Sequence, residues 1–248
     1  MAIKTRKISD WLSANGQAVT NASAASMKTY LEQNLRSLQD GVYIGKIKKA
    51  DWGSYLLCEA WQTTSIGISK ADADAVVVQH GSTRIGIALV EPSSAIKWGS
   101  VQNDNSVGYK ISRDWSLLDG NTRTAAIMAS SYYKNDSPQT YAVAYCYNYS
   151  KSHTEGSGGD VSIPAKSWYL PATEELEIIR SHFETINLAL QRIKNAGKQS
   201  ADLLQRTFYW SSVESSGTNA WVLDFNEGGR HNFGKVIGTG RVRPVTAF

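Results

Sequence analysis

The chain has 248 residues, 42% of them hydrophobic and 19% charged, with a formal net charge of +4. That suffices for one large domain, or one domain with a small appendage, and is too aromatic and too weakly charged for a disordered protein. So small a charge without a dense basic run argues against nucleic acid as a partner, and no stretch has the apolar length to cross a bilayer.

The opening MAIKTRKISDWLSANG has basic residues but no apolar run behind them, so it does not read as a secretory signal, and synthesis in the cytoplasm is expected. Ser26 to Leu38 reads as a helix, with Met27, Tyr30, Leu31, Leu35 and Leu38 on one stripe and Asp40-Gly41 as the stop. A helix this short needs a partner surface. Packing on its own domain and self-association both supply one. Residues 1–45 are therefore taken as a helical segment for oligomerisation or attachment, and 46–248 as the main domain.

From Val42 the texture becomes β-like. VYIGKIKKADWGSYLLCEAW predicts two strands around Asp51-Trp52-Gly53, and AVVVQHGSTRIGIALV a hairpin around His80-Gly81-Ser82, ended by Glu91-Pro92. Lys97 to Asn121 reads as long loops. Thr122 to Ser131 is expected as a helix, Ala142 to Tyr149 as helix or strand, and Lys151 to Asp160 as a flexible loop. After Trp168-Tyr169-Leu170-Pro171 comes the clearest helix. Pro171 suits its first turn, Glu174, Glu175 and Glu177 complement its dipole, and Gly197 is a plausible stop. Leu176, Ile179, Phe183, Ile186, Leu190 and Ile193 form one apolar face. The tail holds β-like pieces at Phe208–Ser211, Ala220–Phe225 and Arg241–Val245. The fold class is α+β.

Reactive groups do not converge. His80, His153, His182 and His231 lack ligand spacing with one another, with cysteine or with carboxylates, and each reads as a surface residue. Gly156 to Asp160 lacks the Lys-Ser/Thr of a phosphate loop. The VQNDN and DGN loops could offer oxygens to calcium, but Asn and Asp are ordinary loop residues. Cys58 and Cys146 stand far apart, outside any CxxC, and read as two buried free thiols rather than a disulfide. No catalytic residue, metal ligand or cofactor is assigned.

The tail is different. Tyr209, Trp210, Trp221 and Phe225 are bulky anchors at strand-like positions, and burying them would hold the segment down. Between them lie residues too polar and too rich in glycine for a core. Such residues suit an exposed surface on a rigid frame, the logic of a paratope.

Here the tail resembles the variable region of diversity-generating retroelement target proteins, which use the C-type lectin fold. In gut bacterial and phage members the frame reads approximately YWSS-x-E, AW, F, G, K and RVRPV-x-AF. In this chain it stands as Tyr209-Trp210-Ser211-Ser212, Glu214, Ala220-Trp221, Phe225, Gly228, Lys235, Arg241-Val242-Arg243-Pro244-Val245 and Ala247-Phe248. Arg84–Gly99, Asp119–Ser130 and Trp168–Ile179 also look like the family, so the resemblance covers residues 75 to 248. It implies a C-type lectin-like domain whose variable region is 209–248. Ligand-binding residues are then expected in the gaps: Ser215, Ser216, Thr218, Asn219, Val222, Asp224, Asn226, Gly229, His231, Asn232, Phe233, Gly234, Val236, Ile237 and Thr239. In that family, template adenines are miscopied, so AAC codons yield many residues but never Lys, Glu, Gln, Met or Trp. Every gap position obeys this except Glu227. Calcium motifs such as EPN or WND are absent, and Glu91-Pro92-Ser93 resembles one only superficially. Arg241 and Arg243 are expected to make fixed ion pairs or backbone contacts.

The resemblance implies a non-enzymatic receptor-binding protein on a phage or prophage tail. Its ligand would be a bacterial surface protein or glycan, and a homo-oligomer, with a trimer favoured, would supply avidity. The N-terminal segment could bind another virion protein. Alternatives are a bacterial surface adhesin and an enzyme related to formylglycine-generating enzymes, which share the fold and use cysteine and copper.

Overall fold

The computed structural model describes residues 38–50, 53–62, 73–101, 119–154, 160–196 and 199–248. The helix expected at 26–38, the VQNDN loop beyond Val101, GSGG at 156–159 and Gly197 lie outside the described residues. The architecture is α+β. Strands β1 (Gly41–Ala50), β2 (Gly53–Ala60), β3 (Ala75–His80), β4 (Thr83–Ile87) and β10 (Val245–Ala247) form an antiparallel sheet in the order β10-β4-β3-β1-β2. Both expected hairpins are present. Asp40 accepts a 2.8 Å bond from the Gly81 amide at the β3–β4 turn, where Gly81 has φ +55°. β1 begins at Gly41 and pairs with β3 from that residue, so the sheet domain starts before the boundary expected at residue 46.

One sheet face carries Val42, Ile44, Val76, Val78, Ile85 and Ile87, all buried. The helices α3 (Thr173–Ser181) and α4 (Phe183–Asn195) cover it. The single helix expected here is broken at His182, whose φ −107° and ψ 15° depart from helical values. The apolar stripe nevertheless continues across the break. Leu176, Ile179, Phe183, Ile186, Leu190 and Ile193 all enter one core cluster. Pro171 stands ahead of the helix rather than in its first turn, and its carbonyl accepts from the Ser212 amide at 2.8 Å.

The other face holds Ala75, Val77 and Ala88 against Trp168, Val161 and Ile163. Val161 and Ile163 belong to β6 (Asp160–Ile163), which pairs with β5 (Lys151–Thr154). Lys151–Thr154 and Asp160, expected in a flexible loop, are thus paired strand residues, and 155–159 lie outside the described residues. The polar residues of these strands hid the pattern, since tertiary contacts decide it: His153 Nδ1 lies 2.9 Å from Asp74 Oδ1. His153 is accordingly half-buried, not a surface residue.

The second lobe is a three-stranded sheet, β7 (Phe208–Glu214), β8 (Asn219–Asp224) and β9 (Arg230–Gly234), packed against α1 (Gly120–Ala129) and α2 (Ala142–Asn148). α1 starts two residues earlier than expected because Asp119 caps it, accepting from the Thr122 amide at 3.0 Å. α2 settles the helix-or-strand ambiguity at 142–149. The lobes are tied by the chain itself. Gly240 bridges Ile96, Arg241 bridges Tyr209, and β10 then closes the edge of the large sheet at β4.

Glu175 binds three elements together. Its buried carboxylate accepts from Tyr169 Oη at 2.8 Å, the Ala172 amide at 2.7 Å and the Gly120 amide at 3.2 Å. Burial raises its pKa, opposed by those donors. Glu175→Ala leaves three buried donors without that acceptor. The expected cost is about 3 kcal/mol in urea unfolding; a loss under about 1 kcal/mol contradicts the assignment.

Candidate functional site

The tail is built around one buried ion pair. Lys235 Nζ and the Glu214 carboxylate are in contact, with both side chains 0% exposed. The ammonium also donates to the Gly217 carbonyl at 3.0 Å, reaches Tyr133 Oη at 3.4 Å and lies 5.0 Å from the Trp98 ring centroid. The backbone of the same residue is equally engaged. Its amide donates to the Thr218 carbonyl at 2.9 Å, and its carbonyl accepts from the Trp98 amide at 3.1 Å. One lysine therefore fixes the 215–218 bend, the end of β9 and the segment at Trp98.

A second buried knot holds the other end. Arg243 Nη2 lies 3.1 Å from Glu91 Oε2, and Arg243 also donates to the carbonyls of Ala88 (3.0 Å) and Asp202 (2.8 Å). Glu91 further receives Tyr209 Oη at 3.2 Å, and Arg241 Nη1 lies 3.4 Å from it. Burial raises the Glu91 pKa while Arg243 and Arg241 pull it down. The arginines thus make the fixed ion pairs and backbone contacts expected of them. Glu91 is committed to the knot.

Between the knots, tryptophans pin backbone to backbone: Trp98 Nε1 to Ser211 O at 2.8 Å and Trp210 Nε1 to Ile96 O at 2.9 Å. Tyr209, Trp210 and Phe225 are buried as expected. Trp221 is not; it is half-buried on the sheet face that also bears Asn219 and Asn232.

The gap residues divide by place. Ser215, Ser216 and Thr218 line the bend, half-buried, and Ser216 Oγ accepts from the Thr218 and Asn219 amides at 3.2 and 3.0 Å. Asn219 Nδ2 donates to Asn232 Oδ1 across the strands at 3.0 Å. His231 and Asn232 are exposed on β9, with Phe233 and Gly234 half-buried beside them. Val236 is half-buried on the following turn, while Ile237 and Thr239 are exposed. Asn226 is exposed and Gly229 half-buried in the β8–β9 turn.

Val222 differs. It is fully buried beneath the sheet with Trp210 and Ala220, and no ligand reaches it in this arrangement. Asp224 is buried and shapes the β8–β9 turn, its Oδ1 accepting from the Asn226 amide at 2.8 Å. In that turn Gly228 has φ +90°, and a Cβ there would come within 2.5 Å of the Arg180 guanidinium, which accounts for glycine in the frame. Arg230 reaches away from the other gap residues, 2.9 Å from Glu177 and 3.6 Å from Glu174 on α3. The sequence reading also missed β9, because alternating polar and glycine residues carry no apolar period, and it left out Phe208, which joins His231 and Phe233 on one sheet face.

Both cysteines are free. Burial pushes the Cys58 thiol up to about 12, with Arg84 lowering it slightly, and raises Cys146 well above its ordinary value. Cys58 as a residue is only half-buried, but its sulfur is desolvated. Thiols so protonated are poor nucleophiles. Among the described residues, no group of three or more His, Cys, Asp or Glu could hold a metal ion, and no helix is long and apolar enough to cross a membrane.

No family model matches the chain, and no curated protein matches it. Among solved structures it is similar to a fimbrial protein from Bacteroides ovatus ATCC 8483, at 13% identity and a TM-score of 0.46, over 85% of this chain. The chain spans about half of that protein's length, 49%.

Lys235→Met strands a buried carboxylate and is expected to cost about 3–5 kcal/mol. Adding Glu214→Leu should recover part of that loss, so the double variant unfolds at a higher urea midpoint than Lys235→Met alone. Strictly additive losses contradict a coupled pair.

Proposed function

We propose that this chain is a hypervariable ligand-binding protein on a C-type lectin-type fold, diversified by a retroelement and carried as the receptor-binding protein of a phage or prophage tail. The observation that supports this reading is the separation of two residue sets along one stretch of chain. Tyr209, Trp210, Ser211, Ser212, Glu214, Ala220, Phe225, Lys235, Val242, Arg243 and Val245, all frame residues, are buried. Most of the interleaved gap residues, from Ser215 to Thr239, are half-buried or exposed. A chain that must vary its surface without losing its shape requires that separation.

The residues proposed to meet ligand are Ser215, Ser216, Thr218, Asn219, His231, Asn232, Phe233, Val236, Ile237 and Thr239. They carry no formal charge. Val222, Asp224 and Arg230 sit at gap positions but serve packing, turn and ion pair, so change there alters stability before specificity. The ligand is proposed to be a bacterial surface molecule, and assembly of the chain into an oligomer would raise weak single-site binding to useful avidity. Protonated, buried thiols favour this binding role over a cysteine-dependent enzyme.

Sequencing the DNA beyond the Phe248 codon tests the reading. The expected result is a nearby reverse transcriptase gene and a near-copy of the tail's coding sequence, differing only at template adenines. Absence of both overturns diversification. Immunogold labelling of purified particles against intact cells then separates a virion protein from a surface adhesin.

A further inference from the structure

Trp221 is the exception among the aromatic anchors. Tyr209, Trp210 and Phe225 are buried, whereas Trp221 is half-buried on a sheet face that bears gap residues. Strand register fixes its company. Trp221 pairs with Asn232 and Asn219 pairs with Gly234, so these four share one face, opposite Val222, His231 and Phe233. Ile237 joins them from the following turn. A Cβ on Gly234 would lie 2.7 Å from Ile237 Cγ1 and 3.9 Å from Asn219 Oδ1. Glycine at 234 therefore leaves room for Ile237 over this face, where its side chain is 76% exposed.

The four positions form a rectangle of about 5 Å by about 7 Å, set by the strand spacing and the two-residue repeat. Asn219 and Asn232 take one diagonal; Trp221 and Gly234, with Ile237 over it, take the other. Asn219 Nδ2 donates to Asn232 Oδ1 at 3.0 Å, which orients both amides. The Asn219 backbone is fixed as well, its carbonyl accepting from the Ser215 and Ser216 amides and its amide donating to Ser216 Oγ. Among the described residues, Asn219 Oδ1 and Asn232 Nδ2 have no further hydrogen-bond partner. The face thus presents one oriented acceptor and one oriented donor, with an indole on one side and an isoleucine on the other. The one charged residue that β8 and β9 place on this face is Arg230, and it is held by Glu177 and Glu174.

We propose that Trp221, Asn219, Asn232 and Ile237 form a site for a neutral pyranose ring of a surface saccharide. The ring's apolar C–H face lies on the Trp221 indole, and adjacent hydroxyls donate to Asn219 Oδ1 and accept from Asn232 Nδ2. This rests on the tail being a binding surface. Charge complementarity selects an uncharged ligand, because an ionised group would meet amides and no unpaired counter-charge. Hydroxyls both donate and accept, so neighbouring ones satisfy the two open amide groups together. A protein side chain fits less well. Protein interfaces put apolar groups at the centre and polar groups at the rim, whereas here the amides are central and the apolar groups flank them. Trp221 is a frame residue and Asn219, Asn232 and Ile237 are gap residues, so one stacking wall serves changing hydroxyl readers.

The test titrates the isotope-labelled full chain with methyl β-D-glucopyranoside, methyl β-D-galactopyranoside and, separately, N-acetyl-L-tryptophanamide, following shifts by NMR. Expected are shifts of the Trp221 indole N–H and of the Asn219 and Asn232 side-chain amides with at least one pyranoside, and none with the tryptophanamide. Asn232→Asp keeps the oxygen that accepts from Asn219 but loses the donor; it should weaken the pyranoside by about tenfold at an unchanged melting temperature. Trp221→Ser should abolish binding and Trp221→Phe should retain part of it. Silence with both pyranosides, equal shifts with the tryptophanamide, or affinity untouched by Asn232→Asp overturns the proposal. So does sedimentation in which the chain self-associates and Ile237→Asp dissociates it, which assigns the face to a second copy. A missing template repeat removes diversification without moving these shifts, so the two failures are distinguishable.

Discussion

The Lys235–Glu214 pair constrains the tail more than any other contact. Two opposite charges at 0% exposure sit in direct contact in the interior of the tail. Desolvating such a pair costs about as much as its attraction returns, so its value is geometric: each partner requires the other at one place. Gly217, Thr218, Tyr133 and Trp98 are drawn to the same lysine. The bend at 215–218 and the turn at 235–238 are therefore held from beneath, with Ser216 adding local bonds to the Thr218 and Asn219 amides.

The second knot, Arg243 with Glu91, Tyr209 and Arg241, does for the far end what Lys235 does for the near one. It also joins the lobes, since Arg243 reaches carbonyls at Ala88 and Asp202. Between these fixed points the small sheet presents Asn219, Trp221 and Asn232 on one face and Phe208, His231 and Phe233 on the other. On the proposed function, rigidity beneath is compatible with variety above where the gap side chains stand clear of the frame. Val222 and Phe233 lean on the frame through Trp210, while Asp224 serves its turn and Arg230 pairs with α3.

Much of this was legible in the sequence, for physical reasons. The first two hairpins declare themselves through β-branched runs around tight turns, and the α3–α4 stripe through its period. What stayed hidden depends on contacts distant in sequence. The break at His182 leaves the apolar period intact, so periodicity cannot register it. The β5–β6 hairpin is polar and rests on Asp74, far along the chain from His153. β9 lacks an apolar period because its inward side is filled by Phe233 alone. Lys235 and Glu214 were recognisable as frame residues only through resemblance, since nothing local says that a lysine will be buried.

The central claim is that the frame determines the shape and the exposed gaps do not. Thermal unfolding of a variant in which Ser216, Asn219, His231, Asn232, Val236 and Thr239 are all replaced by other residues reachable from AAC codons tests it directly. The account predicts a cooperative transition within roughly 5 °C of the parent chain. A broad, non-cooperative transition, or one lowered by roughly 15 °C or more, would show that these side chains hold the fold and would contradict it.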